Sequence, residues 1–95
     1  MTSNPIIASN VTQLATDALA DRAQQRDTPT GERSMARAVS IFKAWTGVEL
    51  SEADGWRFMV ALKQAREVQG GLHADDYIDI CGYSALLAEC LHNQE

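Results

Sequence analysis

Residues 51–69, SEADGWRFMVALKQAREVQ, decide the fold of this chain because they predict a long helix that is apolar around most of its circumference. Ser51 followed by Asp54 indicates a capped N-terminus, and Gly70-Gly71 supplies the stop. At about 100° per residue, apolar residues fall on two sides: Trp56, Met59 and Val60 on one, and Phe58, Ala61, Leu62 and Ala65 on the other. A helix with two apolar sides is expected at the centre of its bundle.

Two cations interrupt the apolar pattern of this helix. Lys63 and Arg66 lie one and two turns beyond Met59, on the Trp56 side that should be buried. Cations directed at a core need anions. The nearest anions in sequence follow the glycine turn, and they are Asp75, Asp76 and Asp79. Pairing between these cations and carboxylates is therefore the starting point for any functional hypothesis.

Length, charge and hydropathy restrict the number of domains, the partners and the localisation that we expect. A chain of 95 residues is long enough for one domain. We expect a single helical domain over residues 10–95, preceded by a loose lead-in over residues 1–9. A net charge of −5 argues against duplex DNA and anionic membranes as partners. No apolar run is long enough to cross a bilayer, and the N-terminus lacks the basic start of a signal peptide. We therefore expect a cytoplasmic protein, in the host cell if it is phage-encoded.

The remaining helices are predicted from caps and apolar periodicity. Helix one runs from an Asn10–Gln13 capping box to about Gln25, with a narrow stripe of Val11, Leu14, Ala18 and Leu19. Helix two follows Pro29 with Thr30 as its N-cap and ends at about Thr46 before Gly47, with a stripe of Met35, Ala38, Val39, Phe42 and Trp45. Helix four covers about residues 74–92 and is expected to be mostly buried, with stripes of Ile78, Cys81 and Ala85 and of Ile80, Leu87 and Leu91.

The predicted fold class is all-α, a four-helix arrangement centred on an antiparallel hairpin of helices three and four. A short loop between two helices makes them antiparallel neighbours. The hairpin then brings Lys63 and Arg66 close to Asp75 and Asp79. The narrow stripe of helix one and the apolar surface of a small domain predict a homo-oligomer.

The acidic segment after the turn has two interpretations. Asp76-x-x-Asp79 and Asp75-x-x-x-Asp79 place carboxylates on one helical face, where they could hold Mg²⁺ together with waters and substrate phosphates. Alternatively, the segment is an acidic first turn stabilised by the helix dipole, with Asp79 paired to Lys63 or Arg66. His73 is either a metal ligand or general base, or a cap or surface residue of the turn.

A second candidate phosphate site is the start of helix two. Backbone amides at a helix N-terminus with Gly31 and Arg33 would suit a phosphate, and a plain N-cap explains the same residues. No Ser-His-Asp or Cys-His constellation supports nucleophilic catalysis, and no glycine-rich phosphate loop follows a strand.

Three runs carry a family resemblance: TPTGERSMARAVSIFKAWTG, LSEADGWRFMVALKQAR and GGLHADDYIDICGYSALLAEC. Together they resemble a family of small phage and prophage proteins of unknown function. More distantly, the K-x-x-R helix followed by D-x-x-D is similar to nucleotide-modification-associated domains and to all-α nucleotide pyrophosphohydrolases of the MazG type. The MazG resemblance implies Mg²⁺ held by an E-x-x-E pair on one helix and an E-x-x-D pair on the next. Asp76-x-x-Asp79 would stand for the second pair, whereas Lys63 and Arg66 occupy the helix that should carry the first.

These observations leave several functional hypotheses. In the first, a phage-type protein binds a nucleotide or other phosphate ligand without turning it over. Its ligand-facing residues are Arg33, Lys63, Arg66 and His73, and Asp75, Asp76 and Asp79 orient the cations or hold Mg²⁺. The second is an anti-defence inhibitor or nucleotide-signal sponge that binds a host defence component. The others are a MazG-like pyrophosphohydrolase and a structural assembly partner.

Overall fold

The computed structural model describes residues 6–26 and 34–93, which form four α-helices and no strand. The helices are α1 (Ala8–Arg26), α2 (Ser34–Thr46), α3 (Glu52–Gly70) and α4 (Ala74–Asn93). This confirms the predicted all-α class. No helix in these two ranges combines the length and the apolar character that crossing a membrane requires.

The α3–α4 hairpin is the centre of the arrangement, as predicted. These two helices make the most extensive contact, while α1 packs on α4 and α2 packs on α3. The hairpin begins at the predicted cap, where the Ser51 hydroxyl accepts a hydrogen bond of 3.0 Å from the Asp54 amide. At the turn, Gly71 has a φ of +81°, a left-handed value that strains other residues. The chain therefore reverses where the two glycines predicted it.

The start of α1 differs from prediction, whereas the end of α2 agrees with it. Helix α1 begins at Ala8, before the predicted start, because the Ile7 carbonyl accepts hydrogen bonds from the amides of Asn10 and Val11. Asn10 thus lies inside the first turn, and its assignment as an N-cap is wrong. Helix α2 ends at Thr46 as predicted, followed by Gly47 at a φ of +75°. The predicted entry to α2 at Pro29 and Thr30 lies outside the described residues.

The core is small and lies between α3 and α4. Trp56 and Tyr83 stack with ring centroids 5.7 Å apart and an interplanar angle of 27°, and Leu86 is buried beside them. Partly buried side chains surround this cluster: Leu19, Met35, Met59, Val60, Leu87 and Cys90. The core therefore draws on all four helices.

The second apolar side of α3 is not buried, contrary to prediction. Its side chains Phe58, Ala61, Leu62 and Ala65 are exposed, Phe58 to 65%. Only the Trp56 side is covered, because α2 and α4 both pack there. The same correction applies to α2, where Trp45 at the end of the predicted stripe is 80% exposed.

The buried face of α4 also differs from prediction. Asp76, Gly82, Tyr83 and Leu86 are buried, whereas the two apolar stripes are half-buried or exposed. Helix α1 packs on this face near Gly82, where a Cβ would make ordinary van der Waals contact with a Leu19 methyl group at 3.8 Å. On α1 itself, Ala15 is buried and the predicted stripe residue Leu14 is exposed.

Candidate functional site

The turn end of the α3–α4 hairpin carries a depression of about 600 Å³, here called the polar depression. It is lined by Lys63, Arg66, Gly70, His73, Asp75, Asp76 and Asp79. The fold thus brings together every predicted site residue except Arg33, which lies outside the described residues. The shared location follows from the hairpin, which sets the last turns of α3 against the first turns of α4.

Asp79 is held by two cations from different helices. Its Oδ2 lies 2.8 Å from Lys63 Nζ, and its Oδ1 lies 3.4 Å from an Arg22 guanidinium nitrogen. The three side chains are largely withdrawn from water, with exposed fractions of 13% for Lys63, 19% for Asp79 and 30% for Arg22. Of the two partners that the sequence offered for Asp79, Lys63 is the one that binds it. The pairing occupies both carboxylate oxygens.

Sequence reasoning missed Arg22. Its guanidinium also lies over the Tyr83 ring, 5.5 Å from the centroid, in a cation–π contact. A signal was present, because Arg22 falls three positions after Leu19 and seven after Ala15, on the face of α1 that packs against α4. Like Lys63, Arg22 is a cation on the core-facing side of its helix, and such a cation needs an anion as partner.

Arg66 differs from Lys63 although both line the polar depression. Its side chain is exposed, and it makes no hydrogen bond or ion pair within residues 6–26 and 34–93. Among the described residues, none occupies the donors of this guanidinium. A planar guanidinium matches the geometry of phosphate and carboxylate groups, which it can bind with two parallel hydrogen bonds.

Asp76 is the buried carboxylate of the polar depression. The residue is 7% exposed, yet its carboxylate makes no hydrogen bond or ion pair with the part of the chain that the structure describes. Its backbone amide donates a hydrogen bond to the His73 carbonyl at 3.2 Å. The start of α4 supplies a favourable dipole. A buried carboxylate without a partner is nonetheless costly, and it calls for a cation or a donor.

His73 is fixed by the turn. Its Nε2 lies 3.0 Å from the Gly70 carbonyl oxygen, which can only accept, so Nε2 carries the proton in this contact. The interaction supports the interpretation of His73 as a turn residue, and it leaves Nδ1 as an acceptor in the neutral ring.

Carboxylates also affect the neighbouring side of α4. The pKa of Tyr77 is raised above its ordinary value, first by burial and then by the negative charges of Glu67 and Asp76. The phenol therefore stays protonated well into the alkaline range. Two carboxylates, those of Glu67 and Asp76, therefore lie close enough to Tyr77 to affect it.

The donor set does not form a metal cage of its own. Within the described ranges, no three His, Cys, Asp or Glu side chains are arranged to hold a metal ion. Asp79 is engaged by Lys63 and Arg22, and Asp75 and Asp76 are adjacent residues that leave the helix about 100° apart.

Comparison with known proteins shows the family of the chain. It belongs to the family described as a domain of unknown function, DUF6378, whose profile matches residues 10–91. The match includes α2, α3, all of α1 but its first residues, all of α4 but its last residues, and the lining of the polar depression. Neither the curated proteins nor the solved structures include a match.

Proposed function

We propose that this protein binds a nucleotide or another small phosphate ligand in the polar depression and releases it unchanged. The observation that carries the proposal is the contrast between the two cations of the site. Lys63 is bound to Asp79, whereas Arg66 is exposed and makes no ion pair with described residues. A stable wall beside an available guanidinium is suited to holding a phosphate group.

Charge balance indicates how a ligand would be accommodated. Around the polar depression, the cations Arg22, Lys63 and Arg66 are matched by the carboxylates of Asp75, Asp76 and Asp79. Such a neutral site has no excess positive charge for a polyphosphate. Mg²⁺ usually reaches protein sites through one or two carboxylates together with substrate phosphates and waters. We therefore expect a Mg²⁺ complex of the ligand to bind better than the free anion, with Asp76, which pairs with none of the described residues, as the carboxylate that favours it.

The engagement of Asp79 supports binding over hydrolysis. Metal-assisted hydrolysis needs several oxygen ligands that converge on the cation. Each oxygen of Asp79 already faces a cation, Lys63 or Arg22, so a metal ion at this carboxylate would meet two nearby positive charges. The three carboxylates also come from one helix. We therefore expect a bound nucleoside triphosphate to be recovered unchanged.

A thermal-shift panel tests the proposal. It contains linear and cyclic nucleotides and inorganic tripolyphosphate, each with and without Mg²⁺. A ligand at ten times its Kd stabilises the fold by about 1.4 kcal/mol, which corresponds to several degrees in Tm for a domain of this size. At least one phosphate ligand is expected to produce such a shift with Mg²⁺, and chromatography should recover the nucleotide intact.

Variants connect the shift to the site. Arg66→Ala is expected to remove the shift, whereas Arg57→Ala should retain it, because Arg57 is an exposed arginine of the same helix that pairs with Asp54. A panel without any shift would refute the proposal. Release of pyrophosphate that disappears in Asp76→Ala would move the protein into the enzyme class.

The second candidate is a phage inhibitor that binds a host defence protein. The exposed aromatic side chains favour it, because Trp45 and Phe58 lie on the surface at 80% and 65% exposure. Expression in a defended bacterium should then restore phage plating, and Trp45→Ser should abolish the effect. Unchanged plating on expression of the parent chain would refute this candidate for the defence system tested.

A further inference from the structure

A second depression, here called the aromatic depression, adjoins the polar depression. It has a volume of about 390 Å³ and is lined by Arg22, Ser34, Met35, Ala38, Trp56, Met59 and Tyr83. Its lining residues come from all four helices. None of them is a predicted site residue.

The two depressions are separated by a single layer of charged side chains. Met59 and Lys63 are four residues apart on α3, as are Tyr83 and Asp79 on α4, and the first of each pair lines the aromatic depression while the second lines the polar depression. Four residues of helix correspond to about 6 Å. Arg22 closes the layer, since it lines the aromatic depression and binds Asp79. The cavities therefore follow one another along the α3–α4 groove.

The chemistry of the aromatic depression suits a flat ring. Trp56 and Tyr83 stack on each other and are 5% and 9% exposed, so they leave little free ring surface for a ligand. Met35 and Met59 add polarizable thioethers that adapt to the shape of a ligand. Arg22 is the more accessible group, because its guanidinium lies 5.5 Å from the Tyr83 centroid and its side chain is 30% exposed. Bases stack on guanidinium planes in many nucleic-acid sites, and the Ser34 hydroxyl adds a polar group for a ring edge.

We propose that the aromatic depression takes the base of the nucleotide whose phosphate groups lie in the polar depression. This inference rests on the proposed function and extends it, because it makes the ligand a nucleotide rather than a phosphate compound in general. The Lys63–Asp79–Arg22 layer then lies beneath the sugar. Arg22 contacts both sites, because it binds Asp79 of the polar depression and lies over Tyr83 of the aromatic depression.

The experiment compares nucleotides with inorganic tripolyphosphate, all with Mg²⁺. The parent protein for this experiment carries Trp45→Phe, so that Trp56 is the one tryptophan left in the sequence and gives the fluorescence signal. At least one of ATP, GTP, CTP and UTP is expected to bind about tenfold more tightly than tripolyphosphate and to change Trp56 fluorescence. Tripolyphosphate should bind without changing it.

A substitution that fills the aromatic depression tests the base site, and the same substitution elsewhere on the helix is its control. Ala38→Phe places a ring in the aromatic depression, and Ala44→Phe adds the same ring to an exposed position of the same helix. The first substitution should reduce nucleotide affinity to that of tripolyphosphate, and the second should leave the difference intact, with circular dichroism confirming that both variants fold. Equal affinity of the parent for nucleotides and tripolyphosphate would overturn the base site and leave the phosphate site standing. No binding of either ligand would overturn both.

Discussion

At the scale of single residues, Asp79 connects three helices. Its carboxylate lies between Lys63 of α3 and Arg22 of α1, and each cation approaches a different oxygen. Burying charges costs free energy, and pairing recovers that cost only while every member is present. The arrangement therefore fixes the wall of the polar depression and makes the fold dependent on one carboxylate.

Asp79→Asn is expected to lower the free energy of unfolding by about 2–4 kcal/mol, because two partly buried cations lose their counter-charge. The value lies at the lower end for buried pairs since all three side chains keep some contact with water. Urea denaturation measures it. Asp75→Asn is the control, an exposed carboxylate of the same depression, and should change stability by less than about 0.5 kcal/mol. Equal effects of the two substitutions would show that Asp79 is not a structural partner.

Asp76→Asn should have the opposite effect on stability. Removing a buried charge without a described partner is expected to raise the free energy of unfolding by up to about 1 kcal/mol in the absence of ligand. The same change should reduce the Mg²⁺-dependent thermal shift produced by tripolyphosphate. A loss of stability combined with an unchanged ligand response would show that Asp76 has a structural role instead.

At the scale of helices, the close approach of α2 and α3 depends on Gly55. A Cβ at this position would collide with the Met35 sulfur. In contrast, a Cβ at Gly82 would make ordinary contact with Leu19 at 3.8 Å. The two buried helical glycines thus have different constraints, although both lie at helix–helix contacts.

Gly55→Ala is expected to destabilise the protein by about 1 kcal/mol, because overpacking outweighs the gain in helix propensity. In a Met35→Ala background, the same change should stabilise. Gly82→Ala is the matched control and should stabilise the parent protein by about 0.5–1 kcal/mol. Chemical denaturation of the double-mutant cycle checks this, and additive effects at positions 35 and 55 would contradict the predicted contact.

Helix periodicity and caps predicted the hairpin and grouped Lys63, Arg66 and the three aspartates, because these features depend on neighbours within a few turns. Local patterns did not predict the role of Arg22, because its partners Asp79 and Tyr83 lie on α4, far along the chain. The buried face of α4 was also missed. Hydropathy favoured stripes containing Ile78 and Leu91, whereas the face that carries Gly82 and Tyr83 is the one that packs against Leu19 of α1 and Trp56 of α3. Packing between distant segments, not local preference, decided both features.

At the scale of the whole molecule, a small core coexists with many exposed apolar side chains. The buried part of the core centres on Trp56, Tyr83 and Leu86. Large apolar side chains are exposed on every helix, among them Leu14, Ile41, Trp45, Phe58, Leu62, Val68 and Leu91. Where such side chains form a contiguous patch, the surface is a candidate interaction site.

We expect the chain to self-associate, which extends the sequence-based prediction of a homo-oligomer. Light scattering at tens of micromolar should give at least twice the chain mass of 10.4 kDa. Phe58→Ser should lower the mass because it removes an exposed ring from the uncovered side of α3. Gln64→Ser, at an exposed polar position of the same helix, should not. A strictly monomeric parent chain would contradict the expectation.

The central claim is that the polar depression holds a phosphate ligand, and amide chemical shifts in an isotope-labelled sample test it most directly. Titration with Mg²⁺ and tripolyphosphate should shift the backbone amides of the lining residues, from Lys63 and Arg66 through Gly70 and His73 to Asp79. The shifts should saturate together with a single Kd, and amides of the distant C-terminal turn of α4 should stay in place. Saturating shifts confined to another surface, or none at millimolar ligand, would contradict the account.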